Sequence, residues 1–197
     1  MTAGGELDAV IIGSGPNGLA AAITIARHGG SVLVVEGADT VGGGLRSAEL
    51  TVPGLLHDVC STVHVLGAGS PFLRSLPLEE HGLEWVHPDV MLAHPLGPER
   101  AALLHRSVDD TASGLGDDAT RYRQTVGSVV EMWDEIEDAV LGPILRWPRH
   151  PLPVVRFGLK ALLPATTTAR RFRTDEAAAL FAGCAAHAFI PLNRPLT

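Results

Sequence analysis

The chain has 197 residues, and its 46% hydrophobic content with 22 glycines is typical of a folded protein and not of a disordered one. Its formal charge is −7, and its 15 lysines and arginines form no long block, which argues against a nucleic-acid-binding protein. The length allows one large domain or one and a half.

Further classes of protein are excluded by the cysteines, the histidines and the N-terminal residues. Cys60 and Cys184 lie far apart in the sequence, which excludes a disulfide framework and fits a reducing compartment. The nine histidines lack the spacing of a metal site, so we expect no metal. The N-terminal residues are polar and acidic, unlike a signal peptide, and no apolar run approaches the length of a membrane span. The sequence therefore predicts a cytoplasmic protein.

A glycine-rich turn separates the first predicted strand from the first predicted helix. Residues 9–12 are apolar and mostly β-branched, which predicts a strand buried on both faces. Gly13, Gly15 and Gly18 then form G-x-G-x-x-G, which permits a tight turn, close approach of a pyrophosphate and close helix-to-strand packing. Pro16 suits the first helical turn, whose N–H groups and positive dipole end favour phosphate. The pattern predicts a dinucleotide-binding turn.

A second strand ends in an acidic residue. Residues 32–35 predict another buried parallel strand, reached from the helix through Gly29 and Gly30. Glu36 follows this strand at the position where an acid hydrogen-bonds a ribose hydroxyl. Because a carboxylate there repels a 2′-phosphate, the pattern indicates NAD or FAD and not NADP.

A second glycine-rich stretch follows the acid. Gly42, Gly43 and Gly44 let another loop come close to a bound dinucleotide, and Arg46 can clamp a phosphate with its planar guanidinium group. Together with Glu36, these residues resemble FAD-dependent oxidoreductases of the phytoene-desaturase-like type, which are related to the flavin amine oxidases. In that family an acid, a glycine pair and a basic residue line the FAD. Gly44 stands where many members carry a larger residue, which leaves the subgroup open.

The resemblance implies a fold, a cofactor and a reaction. We expect an α/β protein with a Rossmann-like FAD-binding domain over residues 1–70 and part of an α+β substrate domain over residues 71–197. The reaction would remove hydride from an apolar, isoprenoid-like substrate and pass it to FAD. Three alternatives stay open: a non-redox, lipid-binding chaperone of the same architecture, an NAD-dependent enzyme, which the glycine pair disfavours, and an inactive fragment. The residues expected to bind FAD are Gly13, Ser14, Gly15, Pro16, Asn17, Gly18, Glu36, Gly42, Gly43, Gly44, Arg46, Ser61, Thr62, Val63 and His64.

The segment 53–64 resembles the part of the family that returns beneath the flavin ring. Asp58 matches the usual acid of that segment, and the resemblance places Ser61 to His64 near the isoalloxazine. The alternative is a strand and loop with an ordinary polar surface. His64 is a lone histidine beside apolar residues, which is more typical of structure than of catalysis, so no catalytic residue is predicted.

The rest of the sequence predicts a mainly helical region with one hairpin. Asp109 is expected to cap a short helix, and Asp117 or Asp118 a long helix that ends at about Leu141. Thr174 is expected to cap a helix over residues 175–188. The other predicted elements are short helical turns over 71–76 and 78–81, a strand over 83–86, and a hairpin of 90–94 with 101–105.

Three charged or amphipathic stretches have a structural and a functional interpretation. The acidic residues between Glu131 and Asp138 indicate a solvated helix face, with a metal or partner site as the alternative. Residues 146–164 combine prolines, cations and bulky apolar side chains, which predicts irregular chain with one amphipathic helix, and the resemblance adds contact with a membrane or lipid as the alternative. The cluster over residues 170–173 is interpreted as the solvated start of the next helix and not as a binding patch.

The resemblance covers only the N-terminal portion of such a protein. Family members are longer, and their C-terminal part returns to complete the first sheet and to contact the flavin. Without that part, we expect an exposed sheet edge and uncovered apolar faces. The sequence therefore predicts either marginal stability or a second chain that completes the fold.

Overall fold

The computed structural model describes residues 6–143 and 145–197. The chain divides into two compact units, of which the first ends at Leu83 and the second begins at Glu84.

The first unit begins with the predicted strand–helix–strand arrangement. Strand β1 (Ala9–Ile12) and strand β2 (Val32–Val35) pair in parallel, and helix α1 (Pro16–Arg27) connects them. At the start of both strands, the Asp8 carboxylate accepts hydrogen bonds from the Ser31 amide and hydroxyl, each at 2.7 Å. These bonds hold the two strands together at the end that lies opposite the glycine-rich turn.

The two strands are covered on one face only. Ile12 is 90% exposed, and Val10, Leu33 and Val35 are 45–54% exposed, whereas the alternate residues of both strands are half-buried. Helix α1 packs on both strands and buries Ala22. The prediction that both faces are buried is therefore wrong for the described part of the chain, because no second layer covers the other face there.

The rest of the first unit consists of short elements. Strand β3 (Ser47–Glu49) and strand β4 (Leu56–Asp58) form an antiparallel pair, and the predicted helical turns near residues 71 and 78 are confirmed. The predicted strand over 83–86 is wrong: residues 83–88 have no regular structure, since strand propensity without a pairing partner does not form a strand. The helical elements are a 3₁₀ turn (Gly43–Leu45), α2 (Val65–Gly69), α3 (Pro71–Arg74) and a 3₁₀ turn (Leu78–His81).

The second unit contains the predicted hairpin, followed by helices. Strands β5 (Val90–Gly97) and β6 (Arg100–His105) pair antiparallel, so the hairpin turn is shorter than the predicted Pro95–Pro98 connection. Helix α4 (Val108–Ser113) is capped by Ser107, whose hydroxyl accepts from the Asp110 amide at 3.1 Å, and not by Asp109.

The predicted long helix from residue 118 to residue 141 is interrupted. The hydroxyl of Ser128 donates to the carbonyls of Gln124 and Thr125, which supplies an alternative to regular helical bonding. A single helix is therefore the wrong prediction for this segment. The observed elements are a 3₁₀ turn (Gly116–Asp118), α5 (Ala119–Tyr122), a π-helical segment (Arg123–Gly127), α6 (Ser128–Val130) and α7 (Trp133–Val140).

Asp118 is a buried anchor for a later helix. Its Oδ2 atom accepts hydrogen bonds from the Arg173 amide at 2.6 Å, the Thr174 amide at 2.7 Å and the Thr174 hydroxyl at 2.9 Å. Thr174 in turn caps helix α10, as predicted, by accepting from the Ala177 amide. The last helical elements are α8 (Pro151–Ala161), α9 (Ala165–Ala169), α10 (Asp175–Ala185) and a 3₁₀ turn (Ala186–Ala188).

The core of the second unit lies where α10 packs on the hairpin. Leu180 and Ala102 are buried in this core, and the rings of Phe172 and Phe181 meet with their centroids 6.0 Å apart. A Cβ atom on Gly183 would come within 2.2 Å of the His94 ring, so the glycine permits the close approach of α10 to β5. This core holds α10 against the hairpin of the second unit.

Candidate dinucleotide-binding site

The three glycines lie at the junction of β1 and α1, as predicted. Gly13 has a φ of +94°, which a residue with a side chain rarely adopts, and its amide donates to the Val35 carbonyl at 2.7 Å. A Cβ atom on Gly18 would lie 2.1 Å from the Gly13 carbonyl oxygen. Gly18 is therefore required for the close packing of the helix on the strand.

The middle glycine leaves space in front of the helix. Gly15 precedes the helix, and a Cβ atom built on it meets no heavy atom within 4 Å. Pro16 begins the helix, and the first amides of any α-helix have no acceptor within it. An anion in front of Gly15 would meet these amides and the positive end of the helix dipole.

Glu36 points back to the glycine-rich turn. Its Oε2 atom accepts hydrogen bonds from the Ser14 amide at 2.8 Å and from the Ser14 hydroxyl at 2.5 Å. Its Oε1 atom accepts from the Ala38 amide at 2.9 Å. Ser14 is only 1% exposed, so the carboxylate is held against a buried partner at the end of β2.

These donors keep Glu36 ionised. The Ser14 hydroxyl first, then the amides of Ser14 and Ala38, lower the pKa of Glu36 to about 2. A carboxylate with this pKa carries its negative charge at any physiological pH. It can accept a hydrogen bond from a ribose hydroxyl and it repels a 2′-phosphate.

The second glycine-rich stretch lies directly against the first. The Gly42 amide donates to the Ser14 carbonyl at 3.1 Å. Gly42 and Gly43 have φ values of +113° and +56°, and a Cβ atom on Gly43 would lie 3.0 Å from the Gly15 Cα. The two stretches therefore form one surface, and the glycine at position 43 allows its backbone to come this close to Gly15.

Arg46 supports the second stretch. Its Nε atom donates to the Gly43 carbonyl at 2.9 Å, and its own carbonyl accepts from the Val59 amide at 2.9 Å. Next to it, the Gly44 carbonyl accepts from the Ser61 amide at 3.0 Å. Gly44, Arg46 and Ser61 therefore lie close together. The Nε atom of the Arg46 guanidinium group is already bound to a carbonyl of the protein.

The remaining predicted site residues lie in the connection to α2. The hydroxyl of Ser61 and the Nδ1 atom of His64 are 3.4 Å apart, and His64 directly precedes α2. Thr62 and Val63 are exposed, and Asp58 lies on β4 opposite Ser47. The structure is compatible with the alternative of a strand and loop here, and it gives none of these residues a bond to the glycine-rich turn.

One hydrogen-bond donor of the site, the Ala38 amide, cannot be predicted from the sequence. The Ala38 amide fixes the second oxygen of Glu36, but a backbone amide can come from any residue except proline. The position of Ser14 between the glycines predicts a place in the site, but its bond to Glu36 depends on the strand register, which the sequence pattern does not give.

Within residues 6–143 and 145–197, no group of three histidine, cysteine or acidic residues is arranged to hold a metal ion.

Among the described helices, none has both the length and the apolar character required to cross a bilayer.

A comparison with family models matches residues 11–76 to the NAD(P)-binding Rossmann-like domain. The matched range includes the glycine-rich turn, Glu36 and the second glycine-rich stretch. The predicted Rossmann-like α/β fold is thereby confirmed for this part of the chain.

Two curated proteins are similar to most of the chain. A limonene dehydrogenase subunit from Castellaniella defragrans is 30% identical over 134 residues, which cover 66% of this chain and 24% of that protein. Digeranylgeranylglycerophospholipid reductase from Methanospirillum hungatei is 31% identical over 150 residues, which cover 71% of this chain and 34% of that protein. The matched residues therefore span about a quarter of the first relative and about a third of the second, and both of their names denote oxidoreductases.

Proposed function

We propose that the first unit binds FAD and that the chain is part of an FAD-dependent oxidoreductase of the phytoene-desaturase-like type. The names of the two relatives denote a dehydrogenase of a terpene hydrocarbon and a reductase of an isoprenoid lipid. Both names support an apolar, isoprenoid-like substrate. Removal of hydride from that substrate is supported by the dehydrogenase name, since a reductase adds hydride to its substrate. Bound FAD would supply the redox chemistry, and the protein would bind and orient it.

The observation that carries this proposal is the contact between the two glycine-rich stretches. The Rossmann turn alone suits any dinucleotide, including NAD. Gly43 lies so close to Gly15 that a Cβ atom on it would be 3.0 Å from the Gly15 Cα, which adds a second backbone surface beside the first. A second glycine loop of this kind after the ribose-binding acid is what the resemblance to the FAD-dependent family implies.

The residues present suit the parts of FAD. The turn from Gly13 to Gly18 would hold the pyrophosphate, because Gly15 leaves space in front of the helix N-terminus. Glu36 would accept a hydrogen bond from the adenosine ribose through the oxygen that faces Ala38, since its other oxygen already has two donors. Arg46 would contact phosphate through its Nη groups while its Nε atom stays on Gly43.

The proposal also includes further polypeptide that covers the exposed face of the first sheet. Ile12 at 90% exposure and its neighbours on that face would otherwise remain in water. A second chain is one source of such a layer. Purification of this chain as a soluble monomer with one cooperative thermal transition would contradict this part of the proposal.

A visible spectrum tests the proposal. The purified chain is mixed with FAD, passed through a gel-filtration column and examined for flavin absorbance in the protein peak. We expect flavin in the peak for the natural chain and much less for Glu36→Gln, while Glu49→Gln, which removes an exposed acid on β3, retains it. A folded sample that takes up no FAD, or that takes up NAD in its place, would contradict an FAD site.

A further inference from the structure

Helices α7 and α8 belong to neighbouring segments of opposite charge. Residues 124–145, which include α7, contain five acidic residues and no cation. Residues 146–173, which include α8, contain seven of the chain's 15 lysines and arginines and no acidic residue. Because the whole chain has a formal charge of −7, the chain outside residues 146–173 carries −14. This separation predicts that each segment attracts a group of the other sign.

The two helices lie side by side and run antiparallel. The Lys160 ammonium group, near the end of α8, donates to the hydroxyl of Ser128, which precedes α7, at 2.5 Å. At the other end of the two helices, Arg149 forms an ion pair with Asp138 at 3.1 Å. Helix α7 packs against α8 between these contacts. We refer to the two helices and their flanking residues, 130–162, as the α7–α8 pair.

Most charged side chains of the α7–α8 pair are not neutralised within the chain. Among the described residues, no ion pair or side-chain hydrogen bond is formed by four exposed charged side chains of the pair: Glu131, Asp134, Glu135 and Arg156. Acids and cations that lie on neighbouring helices without pairing with each other can pair with the charges of another molecule.

The α7–α8 pair also exposes apolar side chains. Leu152, Val155 and Leu159 on α8 are 76%, 57% and 64% exposed and follow one another at helical spacing. Val130 before α7 and Val140 at its end are 56% and 41% exposed. A molecule that covers these side chains must also meet one acidic helix and one basic helix. A partner of a single charge would be attracted by one helix and repelled by the other.

We propose that the α7–α8 pair binds the α7–α8 pair of a second copy of the chain. A twofold axis that runs between the two helices, parallel to both, places α8 of each copy on α7 of the other. Each basic helix then faces an acidic one, and the result is a four-helix arrangement with antiparallel neighbours. A twofold axis perpendicular to the helices would instead place α7 on α7 and α8 on α8, which like charges disfavour.

The contact is small, so the dimer should be weak. Helices α7 and α8 are about 12 Å and about 17 Å long, which places the interface at the low end of specific contacts. We expect reversible dimers with a Kd of about 10–100 µM. Added salt should weaken them, because the charges of the pair are exposed and therefore screened.

Analytical ultracentrifugation of the full chain tests the proposal. Sedimentation equilibrium at protein concentrations up to about 500 µM should show monomers and dimers whose ratio falls as salt is added. A chain that stays monomeric at the highest concentration in low salt would overturn the proposal. Binding of the monomer to polyglutamate, an acidic probe, would then assign α8 to an acidic partner of another kind.

Charge-reversed variants identify the surface and its arrangement. Arg156→Glu combined with Lys160→Glu makes both helices acidic, and Asp134→Lys combined with Glu135→Lys makes α7 basic like α8. Each double variant alone should dimerise at least about tenfold more weakly than the natural chain, since like charges now face each other. An equimolar mixture of the two variants should recover the association, because every acidic helix again meets a basic one. Recovery also shows that both variants are folded.

The control reverses two exposed acids of the first unit. Glu79→Lys combined with Glu80→Lys changes the net charge as much as the α7 variant does, but it should dimerise as the natural chain does. Dimers that persist in both reversed variants would come from another face, such as the exposed face of the first sheet, and would overturn the proposal. So would two variants that circular dichroism shows to be folded but that do not associate when mixed. None of these measurements needs FAD, so their failure is distinct from a failure of the cofactor site.

Discussion

The hydroxyl of Ser14 donates to the Oε2 atom of Glu36 at 2.5 Å, and the Ser14 amide donates to the same atom at 2.8 Å. The residue between the first two glycines and the acid after the second strand are thus bound directly to each other. Ser14 also accepts the Gly42 amide through its carbonyl. One buried serine therefore joins the turn, the acid after the second strand and the second glycine-rich stretch.

Replacing Ser14 by alanine should raise the pKa of Glu36 from about 2 towards its ordinary value of 4.5. The natural carboxylate has a depressed pKa, so its contribution to stability is present above about pH 4.5 and is lost as the pH falls towards 2. In Ser14→Ala this loss should span a narrower pH range. A carbon-13 NMR titration of the Glu36 carboxyl, with urea unfolding across the same range, measures both effects.

The control for Ser14→Ala is Ser47→Ala. Ser47 also donates to a carboxylate, that of Asp58, but at 3.4 Å and in an exposed position. Its removal should leave the Glu36 titration unchanged. An unaltered Glu36 pKa in Ser14→Ala would show that the hydroxyl does not hold the acid.

Gly18→Ala should lower the stability of the protein, whereas Gly15→Ala should leave its stability unchanged and weaken FAD binding. The alanine Cβ at position 18 would clash with the Gly13 carbonyl, so we expect a loss of about 1–3 kcal/mol in the free energy of unfolding. The Cβ at position 15 meets nothing, so Gly15→Ala should unfold as the natural chain does. It should nevertheless weaken FAD binding, because its methyl group enters the space in front of the helix. Urea unfolding and flavin fluorescence titration measure the two effects.

Gly43→Ala should disturb the second stretch, and Gly44→Ala should not. Position 43 combines a φ of +56° with a Cβ position only 3.0 Å from the Gly15 Cα, and the left-handed conformation alone costs an alanine about 1–2 kcal/mol. A Cβ at position 44 makes only an ordinary contact of 3.9 Å with the Cys60 sulfur. Thermal unfolding and FAD titration of the two variants provide the comparison, and equal effects would contradict the contact between the stretches.

Asp118→Ala should destabilise the second unit. The carboxylate is fully buried, and without it the amides of Arg173 and Thr174 lose their acceptor, at a cost of about 1–3 kcal/mol. Burial opposes its ionisation, but these donors and Arg121 outweigh that effect and lower the pKa of Asp118. Its stabilising effect should accordingly decrease in acid. Asp117→Ala removes the exposed acid beside it and should unfold as the natural chain does.

The sequence predicts the first unit better than the second, and the reason is physical. At β1 and α1 each glycine has a separate steric role, so the residue type specifies the local backbone. The residue type of Asp118 does not specify its role in this way. The sequence predicts that Asp118 caps the helix that follows it. In the structure its carboxylate instead holds the start of α10 and accepts a hydrogen bond from the Arg173 amide, 55 residues away. A carboxylate can accept from many donors, and only the tertiary fold determines which ones it meets.

The apolar periodicity of the sequence also gives a wrong prediction where local side-chain hydrogen bonds compete with a regular helix. The apolar spacing from Tyr122 to Val140 fits one helix, but Ser128 bonds back to the carbonyls of Gln124 and Thr125 and the helix is interrupted. Likewise, the β-branched run of β1 predicts burial on two faces, while the second face depends on a layer that residues 9–35 cannot supply. At the candidate site the pattern predicts the residue types, and the strand register determines which of them meet.

The contact of Gly43 with Gly15 limits which residues of this surface can be replaced. Position 15 has no side chain that could be shortened to make room for a larger residue at position 43, so a change at position 43 cannot be rescued by a change at its neighbour. Asn17 and residues 38–41 are exposed, so engineering of ligand preference can begin there with new side chains while both backbones stay in place.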